Sequence, residues 1–118
     1  MTTDETKART KSFALRIIKL VEALPSNRTS DVIGRQLVRS GTSVGANYRA
    51  ACRAKSIADF VAKMGTVEEE ADESSFWLEV IIESGLMKEE MVKDLMNEAD
   101  QIVAIIVSSI NTARGHKR

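Results

Sequence analysis

The sequence predicts an all-α protein, an antiparallel up-down-up-down four-helix bundle in which residues 1–118 form one domain. Three observations carry that expectation. The composition is poor in breakers and aromatics, with one proline, six glycines and 4% aromatic residues, a mixture that suits helices better than sheets. Apolar residues recur with helical spacing in four separate segments. The segments are joined by short links rich in turn residues, which favour antiparallel neighbours.

The first helix is expected over about 5–24. Phe13, Ile17, Leu20 and Leu24 step by four, three and four, and Ala14, Ile18 and Val21 widen the same face. Pro25 stops it and "SNRTS" supplies turn chemistry. The second helix is expected over 30–53, beginning at Ser30 or one turn earlier. At about 100° per residue, Ile33, Leu37, Gly41, Val44, Tyr48 and Ala51 fall on one side. The third, over 56–84, opens with Ser56 as cap and Asp59 reaching back in a capping box. Ile57, Phe60, Met64, Val67, Ala71, Leu78 and Ile81 mark its buried face, and Gly85 suits a left-handed cap. The fourth, over 88–113, carries Leu95, Ala99, Ile102, Ile106 and Ile110, followed by a frayed tail at 115–118.

Within the second helix lies "RSGTSVGANYR", a stretch with the glycines and hydroxyls of a phosphate loop. A Walker loop needs lysine and then Ser/Thr after its last glycine, whereas Gly45 is followed by Ala46 and Asn47. The helical register holds through the stretch instead. Gly34, Gly41 and Gly45 share one flank of the core face with Val38 and Cys52. Each mid-helix glycine costs about 0.5–1 kcal/mol relative to alanine, so three on one flank point to close packing of a neighbouring helix.

Net charge is zero, but its distribution is uneven. Residues 28–55 carry six basic side chains and one acidic, while residues 56–100 carry three basic and thirteen acidic. One basic and one acidic face follow. Arg35, Arg39, Arg49 and Arg53 fall in a stripe opposite the core side of the second helix. That stripe suits nucleic-acid phosphates, since the guanidinium fork matches backbone oxygens, or else the acidic face of another copy. On the third helix Glu70 and Glu73 share a flank with Trp77, with Asp59 and Lys63 nearby. An indole among carboxylates reads as an oligomer interface, with a partly buried core edge as the alternative. A heterologous contact between the two faces closes a ring or extends a filament.

No catalytic constellation emerges. A di-iron bundle needs Glu-x-x-His on two helices, and His116 is the sole histidine. Glu70 and Glu73 have no histidine partner, Cys52 stands alone as a buried inert thiol, and its pairing with His116 fails. The sequence therefore predicts no metal, no cofactor and no small-molecule substrate. The longest apolar run, "IVAII" with Val107, has core-helix length rather than membrane-span length. The first ten residues lack a signal-peptide core, so a cytoplasmic location is expected.

The segments "GRQLVRSGTSVGANYRAACRAKSIADF" and "EEEADESSFWLEVIIESGL" resemble the bacterial four-helix bundle proteins encoded in 23S ribosomal RNA intervening sequences. The resemblance runs from Phe13 to Ala113. Gln36, Leu37, Arg39, Ser40, Ser43, Val44, Asn47 and Tyr48 carry it most specifically, with Asp59, Phe60, Glu70, Glu73, Trp77, Leu78 and Gly85. It implies a left-handed bundle, a ring-like homopentamer and no enzymatic activity. A related branch, the accessory proteins of diversity-generating retroelements, binds nucleic acid and a reverse transcriptase through a basic surface. One departure stands out: Ala50 occupies the place of the family's usual glutamate, which puts the strength of assembly in question. The expectation is a non-enzymatic, self-assembling scaffold or adaptor that contacts RNA through helix two. The alternative is a pure interaction module whose two charged faces are consumed in its own ring.

Overall fold

The computed structural model describes residues 1–115 and contains four helices: α1 (Thr3–Glu22), α2 (Arg28–Ala51), α3 (Ile57–Glu83) and α4 (Glu89–Ala113). Three of them start at a side-chain cap, whereas α4 begins after Lys88 with none. Thr2 and Glu5 form a reciprocal capping box at α1, with Thr2 N–H donating to Glu5 Oε1 at 2.7 Å and Glu5 N–H to Thr2 Oγ1 at 3.1 Å. This box sets the start at Thr3, two residues ahead of the expected one near Glu5. Asn27 Oδ1 accepts the Ser30 N–H at 2.8 Å and begins α2. Ser56 caps α3 through the Asp59 N–H at 3.0 Å, but the Asp59 carboxylate reaches the Lys55 N–H at 3.1 Å, one residue beyond the expected box.

Helix ends are equally local. Pro25 disfavours helical backbone at Leu24, and α1 closes early with a tightened turn, Ala23 N–H to Leu20 O and Leu24 N–H to Val21 O. Gly85 takes φ +79°. Around it the Leu86 N–H bonds to Ile81 O and the Gly85 N–H to Ile82 O, the Schellman arrangement that satisfies the last carbonyls of α3.

The helices pack as sequential neighbours, α1 on α2, α2 on α3 and α3 on α4, and the circuit closes with a thinner α1–α4 seam. Diagonal pairs make no close backbone approach among the described residues. The body measures 46 × 25 × 20 Å, one helix length by two helix widths. Its core runs its full length, from Phe13, Ile17 and Leu37 through Val44, Met64 and Leu78 to Ile81, Ile102 and Ile106, all of them sealed from solvent.

Several expected core residues are less buried than their register suggests; Phe60, Ala14, Ile18 and Val21 are only partly buried. Ile57 is 66% exposed, because it is the first residue of α3 and projects past the last core layer. Leu24 is only partly buried, beyond the end of α1. In their place the α1 face extends through Thr6 and Thr10, both buried. Their hydroxyls donate back to Thr2 O at 3.1 Å and Thr6 O at 2.9 Å, which lets short polar side chains enter a packed interior at little cost. Cys52 is partly exposed rather than buried. His116, and with it the Cys52–His116 pairing and most of the 115–118 tail, lies outside the described residues.

α1 lies directly against the three small positions of α2. A Cβ built on Gly34 would meet Val21 Cγ1 at 2.9 Å, one on Gly41 would meet Ile17 Cγ1 at 2.8 Å, and one on Gly45 would meet Thr10 Oγ1 at 3.3 Å. The glycines thus set the α1–α2 spacing along most of the helix. That spacing also fixes which α1 side chains stand beside the arginines of α2.

Candidate functional site

The arginines of α2 do not form one continuous surface. Arg35 and Arg49 are 14 positions apart, or about 21 Å along the helix axis. Arg53 lies in the turn past the end of α2 at Ala51 rather than inside the expected 30–53 helix. Each arginine meets different neighbours. Arg35 sits near the α2 N-terminus, where its Nε donates to Asp31 O at 3.4 Å. It lines a hollow with Val21, Leu24, Pro25 and Val38.

Arg39 leans across the α2–α3 seam. One terminal nitrogen contacts both Glu70 oxygens at 3.2 and 3.3 Å, and the other donates to Glu73 Oε2. Trp77 Nε1–H donates to the same Glu73 oxygen at 3.2 Å. The Arg39 guanidinium, and secondarily the Trp77 indole, hold the Glu73 carboxyl below its ordinary range. Phe76, 53% exposed, packs edge-on against Trp77 with ring centroids 5.0 Å apart. The expected division between an arginine stripe and a separate Glu70–Glu73–Trp77 surface therefore needs correction at Arg39. Adjacent antiparallel helices bring both sets to one seam, and the long arginine stem spans it.

Asp59 and Lys63 form a pair of their own. Lys63 Nζ lies 2.5 Å from Asp59 Oδ1, and Asp59, with Lys63 and the Lys55 N–H beside it, has its carboxyl held below its usual range. The pair sits at the start of α3, about three turns from Glu70, so the five acidic-face candidates divide into two groups.

Arg49 and Arg53, at the C-terminal end of α2, meet a residue that periodicity did not single out. Lys7 of α1 joins them, and with Ala46 and Ala50 the three cations line a hollow of about 350 Å³. No carboxylate lies within 4.0 Å of Lys7, Arg49 or Arg53 among the described residues; the ion pairs there are Arg9–Glu98, Arg39–Glu70, Arg39–Glu73 and Lys63–Asp59. The signal for Lys7 was present in the glycine flank. With Gly45 against Thr10, an antiparallel α1 places Lys7, nearly one turn before Thr10, beside the next turn of α2.

The remaining charge contact closes the thin seam. Arg9 on α1 reaches α4 with Nε 2.6 Å from Glu98 Oε2, a second nitrogen 2.8 Å from Oε1, and a further bond of 2.6 Å to Gln101 Oε1. This forked geometry is the arrangement in which an ion pair contributes most.

Fold and site together define a small helical bundle whose polar chemistry is concentrated in interhelical charge. The chain belongs to the 23S rRNA-intervening sequence protein family, whose model matches residues 5–108. It is similar to a solved structure of a protein of unknown function from the S23 ribosomal protein family of Bacteroides thetaiotaomicron VPI-5482. That similarity has a TM-score of 0.84 at 35% sequence identity and covers 89% of this chain and 97% of the other. No curated protein matches the chain. No helix among the described residues is long and apolar enough to cross a membrane.

Proposed function

We propose that this chain is a non-enzymatic scaffold that assembles with copies of itself and contacts RNA through the basic side of α1 and α2. The observation that carries the reading is the contrast between the arginines. Arg39 is neutralised within the chain by Glu70 and Glu73, while Arg49 and Arg53 have no carboxylate partner among the described residues. Cations left unpaired on one side of a molecule with zero formal net charge favour a polyanion, and counterion release drives such binding. The family's description refers to an intervening sequence of 23S rRNA, which makes RNA the first polyanion to test. Fluorescence anisotropy with a labelled single-stranded RNA tests it: affinity falls steeply as salt rises, and a salt-independent isotherm would exclude the reading.

The self-assembly half rests on apolar surface. Phe76 is 53% exposed and packs edge-on against Trp77, and an exposed aromatic pair is the kind of anchor enriched at interfaces. The ring-like pentamer implied by the family resemblance is one closed form of such an assembly. Light scattering at micromolar protein gives a mass several times that of the chain, and a monomeric mass rejects this half of the reading. The second reading, a pure interaction module whose charged faces meet between copies, would have to use charges other than Arg39, Glu70 and Glu73, which pair within the chain. Under it RNA binding is absent while the oligomer persists.

A further inference from the structure

The hollow lined by Lys7, Ala46, Arg49, Ala50 and Arg53 combines three features. It draws cations from two helices, it has no acidic lining residue, and its remaining walls are alanines. Arg49 and Arg53 have an ordinary local reason to be there, since cations near a helix C-terminus offset the helix dipole. Lys7 has none. It stands in the second turn of α1, far from the C-terminal end where the helix dipole favours a cation. The α1–α2 packing, set by Gly45 against Thr10, nevertheless holds it beside the two arginines. Three like charges sharing one small hollow repel one another, and a group with negative charge and several acceptor oxygens relieves that repulsion. Guanidinium forks bind phosphate oxygens in pairs, and an ammonium adds a point charge.

We infer that Lys7, Arg49 and Arg53 form a seat for one phosphate group of an RNA strand, with Ala46 and Ala50 leaving room for its oxygens. The seat rests on the RNA-binding reading above and fixes its location at the C-terminal end of α2, away from Arg35 and Arg39. Ala50 is the natural position to close it. A glutamate side chain there introduces a carboxylate among the three cations and occupies them internally, as Glu70 and Glu73 occupy Arg39.

The test compares Ala50→Glu, Lys7→Gln and Arg35→Gln with the wild-type chain. Anisotropy of a labelled single-stranded RNA oligonucleotide is followed across a salt series, with circular dichroism and light scattering on the same samples. The three positions lie on the surface side of their helices, and Lys7→Gln introduces neither new charge nor new bulk, so it keeps the test valid if Ala50→Glu perturbs the fold. Ala50→Glu and Lys7→Gln weaken RNA binding by roughly tenfold at low salt, the effect of one lost charged hydrogen-bonding site. Losing one phosphate contact also lowers the salt slope by about 0.7. Arg35→Gln has a smaller effect on both. If RNA binds the wild type and both pocket variants equally, the seat is wrong while the RNA-binding reading survives. If the wild type binds no RNA, both are wrong. If Ala50→Glu dissociates the oligomer but leaves RNA affinity per chain unchanged, the hollow belongs to a contact between copies and the inference is overturned.

Discussion

Ser40 of α2 and Ser74 of α3 meet in the middle of the α2–α3 seam, their hydroxyl oxygens 3.0 Å apart and both side chains sealed from solvent. Each also has a carbonyl of its own helix within reach, Leu37 O at 3.3 Å for Ser40 and Glu70 O at 2.9 Å for Ser74. Two protons serve three contacts, so neither oxygen is orphaned. Ser40→Ala and Ser74→Ala each lower the unfolding free energy by about 1 kcal/mol, the usual net worth of a buried hydrogen bond. The double variant loses less than the sum, because the second change removes a partner already gone. Urea unfolding of all four proteins measures the difference, and strict additivity would show that the contact between the hydroxyls contributes nothing.

Two glycines in helices respond to alanine with opposite sign. At Gly41 the new Cβ meets Ile17 at 2.8, 2.9 and 3.1 Å. Ile17 is a β-branched core residue with little freedom to move, so Gly41→Ala destabilises by about 1–3 kcal/mol through overpacking. At Gly65 nothing lies within 4 Å, and the helix-propensity gain of about 0.5–1 kcal/mol dominates. Thermal melts of Gly41→Ala and Gly65→Ala move in opposite directions.

Acid loosens the α1–α4 seam. Hydrogen bonding to Arg9 holds the Glu98 carboxyl below its ordinary value of 4.5. A carboxylate whose folded pKa is depressed contributes stability that is complete above the unfolded pKa and lost as pH falls through the folded one. The chain therefore loses stability from the ordinary carboxylate range downward. In Glu98→Gln that acid-dependent loss is reduced, and its stability at neutral pH starts lower. Stability measured by urea titration from neutral pH into the acid range separates the two proteins; parallel curves would assign the acid loss to other carboxylates.

Arg39→Ala has a modest effect on stability and a clear salt signature. Arg39 and Glu73 are both more than a third exposed, so solvent screens the pair and the loss is small. Removing the guanidinium also leaves Glu70 and Glu73, one turn apart on α3, as unshielded like charges. High salt weakens both the attraction in the wild type and the repulsion in the variant. The stability gap thus narrows with salt, and Trp77 emission reports the change at Glu73 directly.

Much of the fold was legible because it depends on local chemistry. Phe13, Ile17, Leu37, Val44, Met64 and Leu78 were placed by period alone, and all are buried. Pro25 and Gly85 punctuate the chain through their own backbone preferences. The clearest departure falls at a helix end, while Ala14 and Ile18 inside α1 are merely partly buried. Ile57 continues the apolar register of α3 but stands beyond the last layer of neighbours, and Leu24 lies past the final turn of α1. Periodicity reports the direction of a side chain and not whether another helix extends far enough to cover it.

Sequence by itself determined four helices, their order, their inner faces and the segregation of charge between α2 and α3, since each follows from spacing within one segment. Tertiary structure decided which charges are free. Whether Arg39 meets Glu73, or Lys7 meets Arg49, depends on which turns of two helices lie side by side. That register is set by close contacts, Gly41 on Ile17 and Gly45 on Thr10, between residues far apart in the chain. Arginines that look equivalent on one helix thus differ, and the reason lies in the neighbouring helix: α3 offers Arg39 two carboxylates, and α1 offers Arg49 and Arg53 a third cation.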